Sequence, residues 1–154
     1  MYYLSVVALL VVLPLASMGY DLTRASVLGP ALVMKWMVFW AAGVRLALAG
    51  ARQIAQPEYT ARTILGLQHD ESQVVVRELG YANLAIGIAG MASHWMPSWR
   101  MAVGLTGGLF YLLAGVGHVR KARRNGLENM AMVSDFYAGA VMLVALAIML
   151  FGRP

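Results

Sequence analysis

The chain has 154 residues, 60% of them hydrophobic and 12% charged, with a net charge of +5 and a mean hydropathy of +0.68. Charge this sparse, with apolar residues in long runs, excludes a single water-soluble core and points to an all-α polytopic transmembrane bundle. The absence of cysteine excludes disulfides, thiolate metal sites and dithiol redox chemistry, and the basic residues gather at helix ends and in one loop, which reads as membrane topology rather than nucleic-acid binding.

At roughly 20 residues per crossing, about five spans fit with short loops, leaving residues 1–154 as one transmembrane domain. The first span is predicted over about residues 2–20, with Pro14 as a kink; it lacks the basic n-region of a signal peptide. Asp21 and Arg24 fall in a polar turn, and the second span runs over about 27–51, carrying Lys35 and Arg45. In the connection that follows, Pro57-Glu58 and then Tyr59, Ile64 and Leu65 suggest a short interfacial helix. Asp70 and Gln73 can cap the third span, over about 73–94. Two tryptophans in Trp95-Met96-Pro97-Ser98-Trp99 mark an interfacial turn. The fourth span, about 101–118, ends before the basic cluster Arg120, Lys121, Arg123 and Arg124. Asn125-Gly126 makes a turn, and the fifth span covers about 129–151, leaving a stub to Pro154.

Loop charge sets the orientation. Arg52, Arg62 and the cluster after the fourth span outnumber Arg24, Arg100 and Arg153 on the other side. The positive-inside rule then places the N-terminus in the cytoplasm and the C-terminus outside.

Ionisable groups inside spans cost about 2.5–3.5 kcal/mol each near a helix centre. Lys35, Arg45, Arg77, Glu78 and Asp135 lie within or just inside the spans, with His118 at an end. Depth brings Arg45, Arg77, Glu78, His118 and Asp135 to one cytoplasmic-side layer, and short-chained Asp135, which cannot snorkel, is the strongest indicator of an internal site. On a helical wheel Lys35 and Arg45 fall within about 80° of each other and can face one cavity; a purely structural pairing of these cations with Asp135 or Glu78 is the plainer alternative. His94 and His118 lie at opposite membrane faces, so paired haem ligation fails, and no metal site or cofactor motif is evident.

Small residues define packing faces. Gly80, Asn83, Gly87 and Gly90 stripe the third span, and Gly104 and Gly108 form a G-x-x-x-G pair in the fourth. Such stripes let backbones approach, within the chain or in a homo-oligomer, and Asn83 can hydrogen-bond across helices.

The segments Lys35-Trp36, Gly43-Val44-Arg45-Leu46, Arg77-Glu78-Leu79-Gly80-Tyr81-Ala82-Asn83, Gly108-Leu109-Phe110-Tyr111 through Gly117-His118, and Val133-Ser134-Asp135 resemble those of an uncharacterised bacterial family of small membrane proteins. That family is itself similar in pattern to the DoxX-like group. The resemblance implies a compact helical membrane protein and an association with membrane redox systems, including quinone-linked ones. The motif positions coincide with the polar residues selected by depth.

Three functions compete. In the first, Lys35, Arg45, Arg77, Glu78, Asn83, Tyr111, His118 and Asp135 form a site that binds or moves a small polar-headed or anionic ligand, such as a lipid or quinone. In the second, Asp135 or Glu78, assisted by His118 or Tyr111, is the acid or base of an enzyme acting on an apolar substrate. In the third, the charges only lock helices together in a structural or assembly subunit. The first is the favoured reading.

Overall fold

The computed structural model describes residues 2–152. It contains five helices long and apolar enough to cross a membrane: α1 (Tyr2–Leu22), α2 (Pro30–Ala55), α3 (Ser72–Ala92), α4 (Arg100–Arg120) and α5 (Gly126–Phe151). Among the described residues there is no strand, so the all-α bundle stands as the sequence predicts. Arg153, counted above in the orientation, and the final stub to Pro154 lie outside the described residues.

Most spans run longer than hydropathy alone suggests. α2 starts on Pro30, whose fixed φ suits a first helical turn, and continues past Ala51 through Arg52 and Gln53 to Ala55. α1 includes Asp21 in its last turn instead of releasing it to a loop. Pro14 is accommodated by a π-helical widening over Ala8–Val12, the segment whose carbonyls a proline ring would otherwise strike.

α2 is the central helix. Met34, Met37, Val38, Ala41 and Ala42 are all buried, and they meet residues from α1, α4 and α5 in one core. α3 lies antiparallel along α2 at backbone contact distance. A methyl group at Gly43 would meet Met91 N at 2.9 Å, one at Gly50 would meet Gly80 O at 2.6 Å, and one at Gly87 would collide with Ala47. The α3 glycine stripe is therefore spent inside the protomer. On α4, Gly108 and Gly115 likewise receive Leu143 and Phe136 of α5, and Gly104 receives Met34 of α2.

The link after α2 forms a short π-helical turn, Tyr59–Ile64, entered through Pro57. Gly66, at φ +66°, ends it in the left-handed region that glycine favours. This turn folds beneath the bundle: the Asn125 amide donates to the carbonyls of Thr63 and Ile64 at 3.0 and 3.1 Å, joining it to the start of α5.

Candidate functional site

Arg45 ends a second π-helical stretch, Val38–Arg45, in the middle of α2. Its guanidinium donates to Asp135 Oδ1 from both terminal nitrogens, at 3.2 and 3.1 Å, and to Ser134 Oγ at 2.9 Å. Tyr111 of α4 packs its ring 5.0 Å from the guanidinium carbon and donates its hydroxyl to the Ala41 carbonyl at 2.6 Å. The widened turn, the buried phenol and the ion pair together fix the cation against α4 and α5.

Beyond Asp135 the polar chain continues toward the end of the bundle. His118 Nε2 stands 3.8 Å from Asp135 Oδ2, while its Nδ1 is 3.2 Å from Glu128 Oε1. The other Glu128 oxygen accepts from Lys121 Nζ at 2.7 Å, and Lys121 also donates to the Leu65 carbonyl. Glu128 is 2% exposed and Asp135 6%. Two carboxylates with two cations leave the chain electroneutral when the imidazole is neutral, which is how buried charge is tolerated.

Glu128 is the residue that sequence reasoning missed. With the fifth span begun at Asn129, it fell in a loop; α5 instead begins at Gly126, with the Asn125 side chain accepting from Glu128 N at 2.9 Å. Asparagine followed three residues later by glutamate is an N-terminal capping signature, so the signal was present in the sequence.

A cavity of about 470 Å³ opens beside this chain. Arg45, Tyr111, His118 and Asp135 form one wall, with Asn83 and Gln53 further along it. Apolar residues line the remainder, among them Leu9, Leu48, Leu79 and Phe110 from four helices. The Tyr59–Ile64 turn closes one end, where Arg52 stacks over the Tyr59 ring at 3.7 Å. Asn83 donates to Gln53 Oε1 at 2.7 Å, yet its own Oδ1 is buried without a partner. Such a group costs about 1–3 kcal/mol unless something binds it.

Five of the eight candidate residues thus line one space: Arg45, Asn83, Tyr111, His118 and Asp135. The other three do not. Arg77 and Glu78 sit at the right end of α3 but on its exposed outer surface. The inward face is Val76, Gly80, Asn83, Gly87 and Gly90, and Arg77 and Glu78 are turned roughly 100° and 200° from Val76. Lys35 pairs neither with Asp135 nor with Glu78. It reaches Asp21 at 2.5 Å near the opposite end of the bundle, where Trp36 Nε1 donates to the same oxygen at 2.9 Å.

Arg52, counted as a loop charge, belongs to the last turn of α2 and lines the cavity. Asp70 does not cap the α3 backbone with its side chain; it takes Arg62 at 2.7 Å and the Gln73 amide at 3.2 Å. Within the basic cluster, Arg124 caps α4 by donating to the carbonyls of His118, Val119 and Lys121, the arrangement that suits a cation at a helix C-terminus.

No curated protein and no solved structure matches the chain. A family model described as a family of unknown function, DUF6790, matches residues 1–153, and the chain belongs to that family.

Proposed function

We propose that this protein binds, within the bilayer, an amphipathic molecule whose polar or anionic head meets Arg45, Asp135 and His118 and whose apolar body fills the adjoining cavity. One observation carries the reading: a 470 Å³ space, apolar over most of its wall, ends on a cluster of ionisable side chains. Pockets of about 300–1,000 Å³ with apolar walls and a few convergent polar groups are the usual form of small-molecule sites.

Loop charge supports placing the Lys121–Arg124 end in the cytoplasm, and the resemblance to a bacterial family supports an inner membrane. A second reading rests on the completeness of the Arg45 pairing, which already joins α2 to α5 through three hydrogen bonds. In that reading the charges lock helices and the cavity holds only lipid.

The test is co-purification. Ala49 and Ala114 both line the cavity, so Ala49→Trp and Ala114→Trp would fill it without touching the ion pairs. Native mass spectrometry of the purified wild type should show a retained small amphiphile, reduced at least tenfold in either variant. Equal retention in all three proteins, or none in any, sinks the ligand reading. Preserved function in a paired Arg45→Leu/Asp135→Leu variant would favour the structural one.

A further inference from the structure

The cavity wall carries one more cation than carboxylate, since Arg45 and Arg52 face it with Asp135 as the lone acid. Arg45 and Arg52 are seven residues apart, two turns along one face of α2, with Arg52 the more exposed. An anion entering past Arg52 is led to Arg45, whose guanidinium is already occupied by Asp135. Both terminal nitrogens of Arg45 are engaged by Asp135, one of them also by Ser134, so an anion that takes those nitrogens displaces the Asp135 carboxylate, which cannot remain charged beside its apolar neighbours without a partner.

His118 is placed to supply that partner. Glu128, next to Lys121, holds the Nδ1 side of the ring, and an imidazole that donates there in its neutral form turns a lone pair toward Asp135. The 3.8 Å between His118 Nε2 and Asp135 Oδ2 is too long for a hydrogen bond. A single proton added between these atoms converts two facing acceptors into a donor and an acceptor. The other groups around Asp135 are fixed: Ser134 on its own helix donates to Ala131 O, and Tyr111 on α4 donates to Ala41 O. From α1, Tyr2 lines the same cavity, and from the turn below, Tyr59 does.

We infer that the ligand head is a monoanion, carboxylate or phosphate-like, that takes Arg45 from Asp135, and that each binding event draws one proton onto the Asp135–His118 pair. Charge balances: one anion and one proton enter together, the Arg45 ion pair re-forms with the ligand, and Asp135 shares the proton with His118. This inference rests on the ligand reading above and names its chemical class and its coupling.

Decanesulfonate is a suitable probe because its head stays anionic across the working pH range, so any proton taken up goes to the protein. Titration calorimetry of the full chain in zwitterionic nanodiscs, in two buffers of different ionisation enthalpy, gives the proton count, with 1-decanol as the neutral-headed control. The expected result is sulfonate binding with close to one proton taken up. Over that pH range Kd should rise about tenfold per unit of pH. Asp135→Asn should bind the sulfonate more tightly and take up no proton; should that variant fail to fold, the wild-type pH slope carries the test alone. Sulfonate binding with no proton uptake and a flat pH profile, or undiminished uptake in folded Asp135→Asn, overturns the coupling and leaves the ligand site standing. Binding of decanol but not sulfonate overturns the anionic assignment and the coupling that depends on it, and leaves the ligand site standing. Binding of neither overturns this inference together with the ligand reading.

Discussion

Lys35 with Asp21, near one end of the bundle, and Arg45 with Asp135, toward the other, each tie α2 to a neighbouring helix by a carboxylate and a cation. Their surroundings differ. Asp21 sits in the final turn of α1, where Lys35 and the Trp36 indole converge on one oxygen and Lys35 also lies 4.6 Å from the Trp36 ring centroid. The lysine side chain is 24% exposed, against 13% for Arg45. At a span end such a pair keeps access to water and headgroups, and neither of its partners lines the cavity beside Arg45. Arg45 and Asp135 lie beside that cavity, in contact with a histidine that reaches a second buried acid. Equal chemistry thus gives a finished anchor at one end and, at the other, a pair with groups still able to rearrange.

The largest expected effect separates these two pairs by stability. Asp135→Ala strands Arg45 in the bundle and should cost about 3–5 kcal/mol, whereas Asp21→Ala should cost about 1 kcal/mol or less, because its lysine can reach water. Reversible unfolding in mixed micelles measures both. Equal losses would erase the distinction drawn between the ends. Next comes the α2–α3 seam that holds Asn83 against the cavity. Gly87→Ala forces a methyl onto the Ala47 backbone and should cost about 1–3 kcal/mol, while Gly117→Ala, with open space around it, should be neutral or mildly stabilising in the same assay.

Tyr111→Phe should cost about 1–2 kcal/mol, since it removes the buried hydrogen bond to the Ala41 carbonyl in the widened turn of α2. It should also loosen Arg45, which makes amide exchange over Val38–Arg45 faster; unchanged exchange there would remove Tyr111 from the account of the site. The smallest effects belong to Arg77→Gln and Glu78→Gln, exposed on α3, each within about 0.5 kcal/mol of wild type and without effect on amphiphile retention. A loss of retention in either would return those residues to the site.

The five spans and their order were legible because hydropathy integrates over whole helices, and small errors at the ends do not change the count. Depth was legible too: Arg45, His118 and Asp135 are at one level because the spans alternate in direction. The face each residue presents was harder to read. Arg77 and Glu78 share that level and point away, and the stripe from Gly80 to Gly90 already marked the inward side of α3. Glu128 lay hidden because a carboxylate near a basic cluster reads as a loop residue until the Asn125 cap draws it into the first turn of α5. The Asp21 partner of Lys35 was not legible, because a 14-residue separation across a turn leaves no periodic signal. The cavity itself is a product of packing, where the Tyr59–Ile64 turn meets five helices, and no local pattern encodes it.

Photo-crosslinking with a decanesulfonate that carries a diazirine at the end of its alkyl chain tests the central claim most directly. If the inner pair serves a ligand site, adducts should map to sheltered cavity residues such as Leu9, Leu46 and Phe110 and disappear in Ala49→Trp. Adducts spread over outward-facing residues such as Leu105 and Leu113, unchanged in Ala49→Trp, would show that the probe meets only the lipid-facing surface and that the buried charges hold helices and nothing more.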